Sequence, residues 1–249
     1  METKRAIVIG ATSGIGREVT QVLTSQGWQV GIAGRRQERL QEMQRKNLNI
    51  AATQQLDVTR SDAPERLLQL IGKMGGEVDL ILHSSGIGYQ NTALDMEKEL
   101  ATVETNALGM TRIVGTAFNY LAERPSHDAH LAVISSIAGT HGLGAAPAYS
   151  ASKRFVSHYL ESLQQLCHIR RLHHIHLHDI RPGFVRTPLL ADGHHYPLQL
   201  DPRRVAEDIV RGIRHNRSVI TIDWRYRILV ALWRLVPRWL WVRMRVVSR

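Results

Sequence analysis

The 249-residue sequence predicts an α/β fold: a doubly wound parallel sheet of about seven strands with helices on both faces. Two observations carry that prediction. Short aliphatic and β-branched runs, from residues 6–9 to residues 219–222, alternate along the chain with longer segments whose apolar residues recur at helical spacing, as in a parallel sheet with helical crossovers. The first run closes directly on Gly10-Ala-Thr-Ser-Gly14-Ile-Gly16, so strand passes into helix through one tight turn. With 43% hydrophobic residues, no internal repeat and no linker, one core over residues 1–223 is expected, followed by a basic, Trp-rich amphipathic helical extension over 224–249.

Residues 6–9 are the first strand, and residues 17–26 form an amphipathic helix with Val19, Val22 and Leu23 inward. Between them Gly10, Gly14 and Gly16, with Ser13 and Ile15, let the backbone approach a pyrophosphate at the positive helix N-terminus. The second strand, 29–33, is followed by Gly34-Arg35-Arg36. A carboxylate here would bind a ribose 2′-hydroxyl and repel a 2′-phosphate. Gly34 supplies none and Arg35 can clamp a phosphate, so NADP(H) is preferred, with NAD(H) the alternative.

The third strand, 50–56, ends in Asp57-Val58, where a carboxylate can meet an adenine amino group; the fourth, 78–82, ends in His83-Ser84-Ser85-Gly86. A helix over 95–122 carries Asn106. A buried Asn inside a helix is costly unless it bonds something, so it either organises water or backbone or kinks the helix. The fifth strand, 131–134, sets Ser136 just past its carboxyl end, where open α/β sheets bind ligands. Tyr149 and Lys153 follow, four apart on one helix face. A free phenol titrates near ~10, but an ammonium about 4 Å away at an effective dielectric of about 20 is worth roughly 4 kcal/mol toward the phenolate, which would make Tyr149 a usable acid/base. The sixth strand, 175–180, closes on Arg181-Pro-Gly183-Phe-Val-Arg-Thr187, and 219–222 is the seventh.

Together these residues resemble the classical short-chain dehydrogenase/reductase family over residues 5–222. Gly10, Gly14 and Gly16 match its Gly-x-x-x-Gly-x-Gly turn, Asp57 its adenine-binding Asp, Asn106, Ser136, Tyr149 and Lys153 its catalytic tetrad, and Pro182, Gly183, Val185 and Thr187 its nicotinamide-side motif. The resemblance implies a single Rossmann-type domain, assembled as a homodimer or homotetramer, acting on a small carbonyl or alcohol substrate. It makes Tyr149 the proton donor and has Lys153 lower its pKa and bind the nicotinamide ribose, Ser136 hold the substrate oxygen, and Asn106 keep a water that links Lys153 to solvent. One departure stands out: the family's Asn-Asn-Ala-Gly is His83-Ser84-Ser85-Gly86 here, which removes the Asn side chain that braces the sheet but keeps the glycine, Gly86, that allows the cofactor's approach. The expected function is an NADP(H)-dependent oxidoreductase, a carbonyl reductase or alcohol dehydrogenase; the alternative is a non-catalytic NADP(H)-binding sensor.

Composition narrows the partners. The lone Cys167 allows no intrachain disulfide, and no secretory leader is evident, so a cytoplasmic protein is expected. No metal is expected: His174, His176 and His178 alternate along one strand face but spread too far for one tetrahedral ion. His194, His195 and Tyr196 lie in the segment that covers the substrate in the family and are candidate substrate contacts, as are segments 138–147 and 188–197. The net charge of +10 is uneven, because seven Arg and no acid follow Asp223, leaving +3 for the rest; a nucleic-acid partner is not expected. On an unbroken helix Arg227, Arg234, Arg238 and Arg245 fall within about 20° of one line among aliphatics and Trp. That pattern fits a helix lying on an anionic membrane at its inner face, a subunit contact, or packing on the chain's own body, with Pro237 kinking it or starting a second helix.

Overall fold

The sheet forms as the apolar runs predict, and every neighbouring pair of strands is parallel. In the computed structural model, which describes residues 3–124, 128–190, 196 and 198–246, the strands are β1 (Arg5–Ile9), β2 (Gln29–Gly34), β3 (Ala52–Gln55), β4 (Leu80–His83), β5 (Ala129–Ile134), β6 (Ile175–Arg181) and β7 (Val219–Thr221). Their order is β3-β2-β1-β4-β5-β6-β7. The order reverses between β1 and β4, so a crevice opens beyond the carboxyl ends of those two strands, where doubly wound sheets bind ligands.

Period-two alternation sends successive side chains to two cores. On one face Val8, Val30, Leu82 and Ala132 meet α1 (Gly14–Ser25), α2 (Gln37–Lys46) and α7 (Pro202–Arg214). On the other, Ile7, Ile9, Ile81 and Val133 meet α3 (Ala63–Lys73), α5 (Met110–Ala122) and α6 (Pro147–Arg170). Full burial of each such aliphatic side chain contributes roughly 1.5–3 kcal/mol.

The continuous helix expected over 95–122 is three pieces: α4 (Met96–Val103), one π-helical turn over Glu104–Gly109, and α5. Asp95 caps α4 by accepting a hydrogen bond from the Glu97 amide. A Cβ on Gly109 would lie 2.8 Å from Val58 Cγ2 and 2.9 Å from the Val58 carbonyl oxygen, so glycine lets the helix sit on the loop after the third strand.

The expected terminal helix breaks at Val236-Pro237 into α8 (Trp224–Leu235) and α9 (Arg238–Trp241), with Pro237 capping the second. This corrects the single arginine line: it required an unbroken helix, and only Arg227 and Arg234 share a face of α8. Tyr226 and Val230 are buried against the first core.

The strand histidines also separate. His174 turns to the α5 side, its Nε2 at 3.0 Å from the Leu121 carbonyl oxygen, so it does not share a face with His176 and His178. His130 Nδ1 lies 2.9 Å from His178 Nε2, and His178 Nδ1 2.7 Å from the Arg217 carbonyl oxygen. Burial, reinforced by the neighbouring histidines, pulls His130 down to about 3; burial pulls His178 down to about 4. Histidines that stay neutral in the fold but charge near 6.5 when unfolded stabilise the protein fully above pH 6.5 and lose that contribution as pH falls toward 4 and 3. Each adds a slope of about 1.4 kcal/mol per pH unit within its window. Urea midpoints measured from pH 7 to pH 4.5 are therefore expected to fall steeply below pH 6.5, and less so in His130→Asn/His178→Asn.

Candidate active site

The crevice is floored by the glycine turn. Gly10 (φ +87) and Gly14 (φ +54) sit in the left-handed region, and a Cβ on Gly16 would lie 2.4 Å from the Gly10 carbonyl oxygen. A Cβ on Gly10 would meet the Ser85 amide at 2.8 Å, and one on Gly14 the Thr187 side chain at 3.5 Å, so turn, β4 loop and the segment after β6 converge. Ser13 is the N-cap of α1 and makes no side-chain capping bond, Ile15 packs on the core, and the first turn of α1 holds no acid. A bare, positive helix end with a cradle that side chains would fill fits the pyrophosphate of a dinucleotide.

After β2, Arg35 and Arg36 are both exposed, and Arg36 reaches back to donate to Thr12 Oγ1 from Nε (3.2 Å) and a terminal nitrogen (2.7 Å). Burial, with Arg39 and Arg35 nearby, lowers the Arg36 pKa, which marks a concentration of positive charge beside Gly34. The anchoring of Arg36 to the glycine turn is not readable from sequence, since both arginines look like solvated helix starters. Asp57 is half-buried and its Oδ1 accepts from the Thr59 amide (3.1 Å) and hydroxyl (2.9 Å), which shapes the turn at Val58.

Asn106 sits in the π turn, 2% exposed, and pairs with the β4 loop: its Nδ2 donates to the Ile87 carbonyl (2.7 Å) and its Oδ1 accepts from the Ile87 amide (2.9 Å). Nδ2 also lies 3.1 Å from Ser152 Oγ. The side chain thus braces the loop backbone, and the wide turn carries it there; of the alternatives for Asn106 this is the backbone organiser. Gly86 lies in the fork between Asn106 and Lys153, where a Cβ would be 3.3 Å from both Asn106 Oδ1 and Lys153 Nζ. Ser84 continues the ladder through its amide to the Ile9 carbonyl (2.8 Å).

Ser136 caps a short 3₁₀ turn (Ile137–Gly139), its Oγ accepting from the Ala138 amide at 3.1 Å. Tyr149 stands in the first turn of α6 and Lys153 one turn on, buried, its Nζ donating to the Ile134 carbonyl at 3.0 Å and 5.7 Å from the Tyr149 ring centre. Burial of the phenol raises the Tyr149 pKa, the Ser136 hydroxyl pulls it down and Tyr196 raises it. Burial lowers Lys153 to about 8, and the Asp179 carboxylate opposes that fall. Desolvation is the first cause at both groups and moves each toward its neutral form.

Four residues around this centre escape sequence reasoning. Asp179, 3% exposed on β6, accepts from the Ser135 hydroxyl and from Arg181 Nε at 2.7 Å, with a second Arg181 nitrogen at 2.6 Å. Its only signal was an acid inside a strand. A Cβ on Gly88 would lie 2.5 Å from Tyr149 Cδ2, so the bare backbone there seats the ring. Gln90 donates to the Tyr196 hydroxyl at 3.0 Å. His83 is buried on β4, and burial followed by the Lys153 charge lowers it to about 3, opposed by a contact with the Ser85 backbone.

In the segment after β6, the Pro182 carbonyl accepts from the Ile137 amide (3.1 Å), Val185 bridges to Leu200, and a Cβ on Gly183 would be 2.3 Å from the Tyr226 ring. Tyr196 is buried, its ring 4.9 Å from that of Phe184; His194 and His195 lie outside the described residues, as does most of 191–197. Among the described residues no group of three His, Cys, Asp or Glu could hold a metal ion.

Residues 4–195 match the family model for short chain dehydrogenases. An uncharacterized oxidoreductase of Myxococcus xanthus is 30% identical over 95% of this chain and 94% of that protein. Dehydrogenase/reductase SDR family member 7B of Danio rerio is 27% identical over 89% of this chain and 78% of that protein. Among solved structures, the closed form of a serine dehydrogenase complexed with NADP+ superposes with a TM-score of 0.77 at 26% identity, covering 88% of this chain and 94% of that one. A seven-stranded parallel sheet, a glycine turn at its switch point and this agreement over most of the chain lead to one conclusion: the protein belongs to the short-chain dehydrogenase/reductase family.

Proposed function

We propose that the chain is an NADP(H)-dependent oxidoreductase that transfers a hydride between the nicotinamide and a carbonyl or secondary alcohol of a small molecule. The observation that carries the reading is the convergence of Ser136, Tyr149 and Lys153 beyond the carboxyl end of β5, beside the glycine turn. A bound nicotinamide supplies the hydride. Ser136 then holds the substrate oxygen, and the Tyr149 hydroxyl gives its proton to the alkoxide that develops there. The Tyr149 phenol, held above its ordinary value by burial, carries its proton at neutral pH, as an unperturbed phenol also would. Asn106 fixes the loop against which Lys153 is set, and Lys153 holds positive charge where the nicotinamide ribose would lie. A panel of ketones and aldehydes followed by NADPH absorbance tests the reading; consumption by no member, with NADPH bound, would favour the cofactor sensor instead.

The cofactor preference rests on Gly34, Arg35 and the anchored Arg36. A charge-assisted phosphate contact contributes about 1.5–3 kcal/mol, so Arg35→Ala is expected to weaken NADP(H) roughly 10- to 100-fold and leave NAD(H) nearly unchanged. Titration of both cofactors by fluorescence checks it, and equal dissociation constants in the wild-type protein would count against it.

We also infer assembly as a homodimer or homotetramer. Support comes from α4, whose Met96, Leu100 and Val103 share one exposed face, and from exposed Phe155 on α6, which packs beside α4. Light scattering is expected to give a mass above that of one chain.

A further inference from the structure

Helix α8 has three sides. At about 100° per residue, Tyr226, Val230 and Trp233 turn to the body. The opposite side carries Trp224, Ile228, Leu232 and Leu235, which are 66%, 52%, 58% and 78% exposed. Arg227 and Arg234 line one flank. Past Pro237 the exposed apolar character continues in Trp239 and Val242, at 63% and 64%. Single exposed apolar residues are ordinary, but so many within one short segment mark an interaction surface.

The inner side is already used. His141 Nε2 lies 2.8 Å from the Trp233 carbonyl oxygen, Trp241 Nε1 donates to the Gly142 carbonyl at 2.8 Å and stacks on His141 at 4.4 Å, and the Tyr226 hydroxyl donates to the Leu198 carbonyl at 3.0 Å. The outer side therefore needs an occupant other than the chain's own core.

We propose that the outer face of α8 and α9 docks on an anionic lipid surface. Charge decides among the occupants. After Asp223 the chain holds seven Arg and no acid, and Asp223 itself is engaged with Arg225 at 2.9 Å. In a twofold contact between copies, this face would set arginine against arginine with no acid of its own to compensate. A nucleic acid would satisfy the arginines but leave the Leu, Ile and Val side chains in water. An anionic bilayer takes both: arginines reach headgroups, Trp sits at the headgroup boundary, and the aliphatics enter below it. No helix among the described residues is long and apolar enough to cross a membrane, so the segment lies on the surface.

The test uses the full chain, floated with phosphatidylcholine vesicles with or without phosphatidylserine, in low and high salt. The protein is expected to float only with phosphatidylserine, and less in high salt. Leu232→Glu/Trp239→Glu should abolish flotation, and Arg227→Gln/Arg234→Gln should lower the lipid partition constant roughly 25-fold, at about fivefold per arginine. Both variants change exposed side chains, of which, among the described residues, only Arg227 has a hydrogen bond of its own, Nε to the Thr221 carbonyl at 3.1 Å, and both are expected to keep the wild-type circular dichroism and NADPH affinity. Three outcomes would overturn the proposal: no flotation of the folded wild type, flotation indifferent to Leu232→Glu/Trp239→Glu, or a fall in mass by light scattering in that variant without any lipid binding, which would assign the face to a second copy. The catalytic reading is independent, since vesicle binding is read without substrate.

Discussion

Replacement of Tyr149 by Phe is expected to reduce turnover by roughly 10²- to 10⁴-fold while leaving NADPH affinity within a few fold, because only the proton donor is removed. The ring stays seated: it lies against the bare backbone of Gly88, and Phe fills the same space. What is lost is the hydroxyl beside Ser136, and with it the proton for the developing alkoxide. The expected signature is a fall in kcat without a matching rise in KM, the pattern of an interaction made in the transition state. Single-turnover NADPH oxidation with an active ketone is the measurement. Wild-type rates in Tyr149→Phe would remove Tyr149 from the mechanism, and loss of NADPH binding would show that the ring has a structural task as well.

The second large effect is expected at Asp179. Its carboxylate is buried and engages the Ser135 hydroxyl and Arg181, whose side chain is itself only 17% exposed. In Asp179→Asn the Arg181 charge remains without its counterion, and breaking a buried pair in this way costs about 3–5 kcal/mol, a large share of the roughly 5–15 kcal/mol that holds a domain folded. Urea denaturation is expected to show a correspondingly earlier midpoint. A second readout separates electrostatics from mere loosening. The Asp179 charge opposes the fall of the Lys153 pKa, which burial already brings to about 8. Without that charge Lys153 loses its proton at lower pH, so the basic limb of the turnover profile should move toward neutrality. A destabilised variant with an unmoved basic limb would mean that Asp179 supports only the fold.

The sheet was legible because its signals are local: each apolar run becomes a strand and the glycine turn joins the first to its helix. Pro237 likewise announced the break between α8 and α9. The ends drifted by a few residues, as with the third strand, because pairing rather than hydropathy decides where a strand stops. The misses share a different cause. The Asp179 contact with Ser135, the seat of Tyr149 on Gly88 and the Arg36 bond to Thr12 depend on partners far along the chain, which no local pattern reports. The Tyr149–Lys153 spacing was readable, but the burial that raises the phenol and lowers the ammonium was not. His174 was placed with its strand neighbours by alternation, yet it precedes β6 and answers to Leu121 instead.

The π turn at Glu104–Gly109 has a consequence for the outside of the molecule as well as for Asn106. Such a turn is equivalent to one residue inserted into an α-helix, and each residue advances a helix by about 100° and 1.5 Å. It therefore acts as a phase shifter between α4 and α5. With α5 held in the core by Ile113, Val114 and Phe118, the inserted residue sets the angle at which Met96, Leu100 and Val103 leave the surface. Deleting one residue here would withdraw Asn106 from Ile87 and, in the same motion, rotate the outer face of α4 by about a quarter turn. Loop bracing at the crevice and the presentation of an external face thus share a single irregularity, and a change that regularises the helix cannot alter one without the other.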